Sequence, residues 1–479
     1  MSRDYSATRL AETLQVFHRD HANRLAWFQH ATKLADAFLC SLDGRPAGEW
    51  TEPLAAVSLP EQGIGLEGAL NIFTQTYLPK LSGSAGGRYW GFVTGGSTIP
   101  AIIGDWLVSA TDQNATAGVA PTADLERDTI AQLRTLFGLP NTFEGSFVSG
   151  ATMSNMVGLA IGRQWAGRER GIDVTHEGMA ALPSLRVLSG TPHSSVLKSL
   201  AMLGIGRNRL ISVACLPGRE AIDPVALENV LRADPTAPTL VVANAGTVNT
   251  TDYDDLQAIA ALRERYRFWL HVDAAFGGFA GCSSTYAALL KGWAAADSIC
   301  IDLHKWLNVP YDSAIQLSRH RGLQIEAFGN QAAYLGEMGE SPDYVHLTPE
   351  NSRRWRALPA WMTLQAYGAA GYQALVEQSC NMAMRFAGYV GKSEVFKLLA
   401  PVRLNVVCFA LRADLQQHTN ALLAALQADG DVYLTPTHYA GVPAIRAAFC
   451  NWRIGEAEVD RGWEAMQRTV EKLGLGVGG

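Results

Sequence analysis

Six apolar, β-branched runs punctuate the middle of the chain. They are LRVLSG (185–190), RLISVAC (209–215), TLVVANAG (239–246), FWLHVDAA (268–275), SICIDLH (298–304) and AIQLSR (314–319). Runs of this length without polar alternation mark strands buried on both faces. Stretches with helical spacing, such as HSSVLKSLAMLG and DYDDLQAIAALRERY, lie between several of them. Strands alternating with helices predict an α/β fold, a mainly parallel central sheet flanked by helices.

The two ends read differently. Spaced apolar positions in TRLAETLQVFHRDHANRLAWFQHATKLADAFL predict a helical segment over residues 1–75, packed on a second subunit or on its own core. The large α/β domain is expected over 76–375. Beyond it, GYQALVEQSCNMAMRFAGYVG predicts a long helix. Short strands around RLNVVCFALR and AIRAAFCNW and a last helix, EAEVDRGWEAMQRTVEKLG, complete a smaller C-terminal α+β domain over 376–479.

With 479 residues, 48% hydrophobic and 18% charged, the chain has the composition of a large globular protein rather than a disordered one. Its formal charge of -6, with no basic block, gives no footprint for nucleic acid or a membrane surface. No stretch approaches the length of a transmembrane helix, and the start lacks the apolar core of a secretory signal. Seven scattered cysteines without CxxC or Cys/His spacing suit reduced thiols in a cytoplasmic protein, and predict no metal site.

In a parallel sheet, ligands gather beyond the carboxyl ends of the strands. Four features stand there. EGSFVSGATMSN (144–155) turns through Gly150, Ala151 and Thr152 into a helix, which is either an ordinary cap or an anion site built from backbone N–H groups. His193 follows LRVLSG at a helix start, where it is a capping or core histidine or a flat plate against a cofactor ring. Asp273 ends a very apolar run and needs a cationic partner to offset desolvation, unless it is a helix cap; Ala274 and Ala275 leave room beside it. Lys305, in DLHKWLN, is one of only 8 Lys among 39 basic residues, the other 31 being Arg. A lone loop lysine is ordinarily a solvated charge. A desolvated one forms a Schiff base with a carbonyl.

Together the four supply what pyridoxal 5'-phosphate requires. The phosphate goes to Gly150–Thr152, the ring lies between His193 and Ala275, Asp273 pairs with the pyridinium nitrogen, and Lys305 takes the aldehyde. Asp273 precedes Lys305 by 32 residues, the length of one further β-α-β step.

From RYWGFVTGGSTIP (88–100) to IRAAFCNWRIGEAEVDRGWEAM (445–466), the chain resembles the group II pyridoxal-phosphate-dependent decarboxylases of fold type I. This family includes aromatic amino acid, glutamate and diaminobutyrate decarboxylases and has an aspartate-aminotransferase-like fold. HVDAAFGG, HKWLNVPYD and ENSRRWRALPAWMTLQAYG (350–368) carry the resemblance in combination. It implies a homodimer with shared active sites, the 1–75 segment at the interface, and decarboxylation of an L-amino acid to an amine and carbon dioxide.

By the same resemblance, Thr247 lies near the cofactor's 3-hydroxyl and His304 precedes the Schiff-base Lys305. Tyr334, in QAAYLGEMGESPDYVH (331–346), matches a loop tyrosine that returns a proton to Cα with help from His193. Arg353 and Arg446 are expected in structural ion pairs, and Tyr89, Trp90 and Phe92 beside the substrate side chain. Asp302 replaces an Asn that contacts phosphate in several relatives, so it is kept out of the phosphate contacts. An aminotransferase, an aldehyde-forming synthase or a non-catalytic paralogue would use the same pocket; Tyr334 favours simple decarboxylation.

Overall fold

Seven strands form one sheet in the computed structural model, which describes residues 7–48, 53–116, 121–330 and 343–476. They are β1 (Glu144–Val148), β2 (Arg186–Ser189), β3 (Leu210–Ser212), β4 (Thr239–Asn244), β5 (Trp269–Asp273), β6 (Ser298–Asp302) and β7 (Ala314–Ser318). Across the sheet the order is β1-β7-β6-β5-β4-β2-β3. Only β7 runs against its neighbours β1 and β6; the remaining pairs are parallel. The six apolar runs are thus six strands of a mainly parallel sheet. β1 is not among them, because EGSFV opens with an exposed glutamate and a glycine rather than an apolar run.

Every residue of β4, β5, β6 and β7 is buried, as a sheet covered on both faces demands. Side chains alternate between two hydrophobic layers. Leu270 and Val272 join Val241 and Ala243 in one, and Trp269 joins Leu240 and Val242 in the other.

The helix Ala151–Arg168 lies against the second layer. Its backbone approaches the sheet so closely that a Cβ at Gly158 would fall 2.7 Å from the His271 ring, and one at Gly162 would fall 2.8 Å from Trp269. Glycine is required there by space rather than by backbone conformation.

A second, antiparallel sheet comes next, with β8 (Phe396–Leu398), β9 (Val406–Leu411), β10 (Thr435–Tyr439) and β11 (Val442–Ala448) in the order β10-β11-β9-β8. Phe386, Phe409, Phe449 and Trp90 fill its core. The helix Ala357–Lys392, broken at Gly368 (φ 60), packs its first half on the large core and its second half on this one.

Arg353 forms the structural ion pair expected of it. Its Nη2 donates to both oxygens of Glu126, at 2.6 and 2.8 Å, and to the carbonyl of Phe147 in β1 at 3.1 Å. Both side chains are wholly buried, and the guanidinium lies 4.7 Å from the centre of the Tyr344 ring. The pair ties the helix Thr122–Leu136, β1 and the segment after residue 343 together. Removing one partner leaves an uncompensated buried charge, so Glu126→Gln is expected to lower stability by about 3 kcal/mol or more in urea unfolding.

Candidate active site

β1, β2, β4, β5 and β6 point the same way, and their carboxyl ends surround a cavity of about 420 Å³. Each strand delivers side chains at or just beyond its carboxyl end. Gly150, Ala151 and Thr152 come after β1, His193 after β2, Thr247 after β4, Asp273 and Ala275 at β5, and His304 and Lys305 after β6. The residues predicted to catalyse or to hold the cofactor, within the described chain, therefore all line one cavity. Tyr334 lies outside the described residues.

Lys305 sits in the one-turn helix Leu303–Trp306 directly after β6. Its backbone is clamped from above: a Cβ at Gly95 would stand 1.6 Å from the Lys305 carbonyl oxygen, so only glycine fits there. Its Nζ lies 3.5 Å from Asp302 Oδ2 and 5.4 Å from the centre of the Phe276 ring. The same Oδ2 is 3.2 Å from His304 Nε2, while Asp302 Oδ1 is buried without a partner among the described residues. Asp302 is thus directed at the lysine and His304.

Asp273 is only 6% exposed and is held from two sides. Ala275 N–H donates to Oδ1 at 3.2 Å and Asn155 Nδ2 donates to Oδ2 at 2.9 Å. Asn155 also donates to Ser195 Oγ at 3.0 Å, and Ser195 Oγ lies 2.8 Å from His193 Nδ1. Desolvation lowers the pKa of His193, outweighing the neighbouring Asp273 carboxylate, which acts to raise it.

Thr247 lines the cavity, but its hydroxyl hydrogen goes to Glu220 Oε2 at 2.6 Å, so its oxygen faces other groups as an acceptor. Two expectations are corrected. Arg446, on β11, makes no ion pair among the described residues; it donates to the Val248 carbonyl at 2.8 Å and lines the cavity. β11 belongs to the second sheet, whose placement over the first no local pattern reveals. Trp90 is not beside the cavity: it is fully buried against Phe386 and Phe449, while its neighbours Tyr89 and Phe92 do line it.

A family model described as the pyridoxal-dependent decarboxylase conserved domain matches residues 66–412. The chain belongs to this family. It is a carboxy-lyase that uses pyridoxal phosphate. An aromatic-L-amino-acid decarboxylase of Bacillus atrophaeus is 27% identical over 361 residues, 74% of this chain and 73% of that protein. A 3,4-dihydroxyphenylacetaldehyde synthase of Aedes aegypti is 26% identical, over 88% of this chain and 83% of its own. A crystal structure of Oryza sativa TDC with PLP and tryptamine has a TM-score of 0.87 at 22% identity, covering 99% of this chain and 100% of that one, which establishes the fold.

The residues fit the cofactor of this decarboxylase family. The helix Ala151–Arg168 starts at Gly150 without a side-chain cap, leaving its first amides to an anion, with Thr152 beside them. Asp273 keeps acceptor capacity beyond its two donors, Lys305 offers an amine, and His193 and Ala275 border the space for a ring.

Asn155, Ser195 and His271 escaped the sequence reading, though signals for two existed. Asn155 stands three residues after Thr152 on one helix, and His271 stands two residues before Asp273 on one strand, hence on the same face.

His271 is fully buried, and desolvation pushes its pKa down to about 4. The unfolded chain takes up that proton near pH 6.5, so between about 6.5 and about 4 it binds more protons than the folded one, and stability falls as pH drops. Relative to the wild type, His271→Gln should therefore regain about 3 kcal/mol between neutral pH and pH ~4, read from paired urea unfolding curves.

Proposed function

We propose that this decarboxylase converts an L-amino acid of the aromatic class into its amine and carbon dioxide. The observation that carries the reading is the Lys305 amine and the Asp273 carboxylate on one cavity rimmed by Tyr89, Phe92 and Tyr311. Bound pyridoxal phosphate supplies an aldehyde for the amino group and an electron sink as carbon dioxide leaves.

Lys305 would hold the cofactor through its amine and yield that place to the substrate's amino group. Asp273 holds a proton at the ring nitrogen. His193, as a neutral imidazole, and Ala275 would border the cofactor ring, and Tyr334 would return a proton to Cα. Thr152 and the first amides of its helix hold the phosphate. Around the cavity, Lys305 and Arg446 balance Asp273 and Asp302 in formal charge.

The same reading extends to a homodimer with shared sites. Leu25 and Phe28 on the helix Arg24–Cys40 are exposed, as are Ile103, Trp106 and Leu107 on the helix Ile99–Thr111. Apolar surface of this extent suits a second copy of the chain, with the 1–75 segment packed against it. The large and small domains over 76–375 and 376–479 are the units proposed to carry the cofactor and to close over it. All seven cysteines are free, which supports a cytoplasmic enzyme.

Mass spectrometry of the cofactor-loaded protein with a panel of L-amino acids should show equal amounts of amine and carbon dioxide without oxygen uptake. Aldehyde with oxygen consumption would instead support the synthase reading that the Aedes aegypti relative raises. Lys305→Ala should lose the visible absorbance of lysine-bound cofactor and reduce turnover roughly 10³-fold or more. Tyr334→Phe should divert product from amine to aldehyde. Phe28→Glu with Trp106→Glu should sediment as a monomer of low activity, whereas an unchanged dimer would remove this face from the interface.

A further inference from the structure

Two side chains on the cavity, Asp273 and His193, are joined to five deeper ones by an unbroken hydrogen-bonded chain. Trp269 Nε1 donates to Ser298 Oγ at 3.1 Å, and Ser298 Oγ lies 2.7 Å from His271 Nδ1. His271 Nε2 lies 2.9 Å from Asn155 Oδ1, and the Asn155 amide nitrogen reaches both Asp273 and Ser195. Ser195 meets His193 Nδ1 twice, through Oγ at 2.8 Å and backbone N–H at 3.3 Å.

Chemistry assigns every hydrogen in this chain. Asp273 is an acceptor, so the Asn155 amide must present its NH₂ there and its oxygen to His271. His271 therefore carries its hydrogen on Nε2 and accepts at Nδ1 from the Ser298 hydroxyl, whose oxygen takes the indole N–H. At the other end, the backbone N–H of Ser195 can only donate, so His193 Nδ1 is bare and its hydrogen sits on Nε2. Ser195 Oγ receives from Asn155 and passes its own hydrogen to the same Nδ1.

We infer that His271, which touches no part of the cavity, is a positioning residue: through Asn155 it orients Asp273 and turns the Ser195 hydroxyl onto His193 Nδ1, beside the Ser195 backbone N–H that already keeps the His193 hydrogen on Nε2. The inference rests on the reading of Asp273 and His193 as cofactor-contacting groups. The amide of Asn155 has nearly the same shape at both ends, and a flip would set its oxygen against the Asp273 carboxylate. The His271 N–H is what distinguishes the two ends from behind. Gly158 and Gly162 leave the space that the His271 and Trp269 rings occupy between helix and sheet.

The consequence for His193 is chemical. A proton that made it a cation would have to enter at Nδ1, where two donors already converge. His193 thus serves the site as a hydrogen-bond donor through Nε2, and proton return is left to another group. The charged groups around it divide evenly: Asp273 and Asp302 favour an imidazolium, while Lys305 and Arg446 oppose it.

The test uses ¹⁵N-histidine-labelled apoprotein, with His193 assigned by His193→Asn. Long-range ¹H–¹⁵N spectra should show a single Nε2–H form of His193 that stays neutral while exposed histidines titrate. His271→Leu should release the Ser195 hydroxyl from His193 Nδ1, move the His193 titration toward that of the exposed histidines, and weaken retention of pyridoxal phosphate about tenfold, the scale seen when the group behind a ligand is removed. His271→Gln, which keeps a donor toward Asn155, should restore the wild-type pattern. If His271→Leu does not fold, Ser298→Ala removes the hydroxyl that specifies the His271 tautomer and should shift His193 in the same direction. An unchanged His193 titration in a folded His271→Leu or Ser298→Ala protein overturns the inference. These readouts need no substrate, so the expected shifts in a protein that decarboxylates nothing would support the relay while defeating the proposed function.

Discussion

A carboxylate at the end of a fully buried strand must be supplied with donors, and much of this molecule is arranged around that demand. Asp273 takes one donor from its own turn, at Ala275, and one from Asn155 on the facing helix. The second works only if the amide is oriented, which calls on His271 and, behind it, Ser298 and Trp269. Those rings need room, and Gly158 and Gly162 provide it by bringing helix backbone rather than side chains to the sheet. A polar network in a low-dielectric core is costly when half satisfied and rigid when complete, and here each donor finds an acceptor.

The parallel sheet concentrates this chemistry in one place. Because β1, β2, β4, β5 and β6 share a direction, the turns beyond them meet at one edge, and so do the first turns of the helices that start there. Lys305 reaches the cavity from the end of β6 with Asp302 one helical turn behind it. A carboxylate in that position is compatible with an anionic cofactor because its Oδ2 is already directed at two nitrogen groups, those of His304 and Lys305.

The second sheet completes the site from above. Arg446 reaches over from β11, and the strand pairing that places it is bolted to Trp90 and the aromatic cluster of the small core. Trp90 thereby serves packing, and only its neighbours Tyr89 and Phe92 face the cavity. Division of one aromatic run between core and rim follows from the turn the chain makes there, with Phe92 at a positive φ of 54.

The α/β class, six of the seven strands of the main sheet and the cavity residues from Ala151 to Lys305 were all legible in the chain, because burial on both faces writes itself as uninterrupted apolar runs and ligand groups stand where those runs stop. The edge strand β1, the fate of Trp90 and the placement of Arg446 were not legible, since each depends on a partner distant in sequence. The hydrogen-bonded chain behind Asp273 and His193 lies between these cases. The positions of His271 and Asn155 carry the periodicities of strand and helix, yet nothing local says that the helix and the strand face each other. The chain alone determined which chemical groups stand at the strand ends. Only tertiary structure decided which of them share hydrogens, because a hydrogen bond requires an approach within about 3 Å, a distance that packing sets and sequence spacing does not.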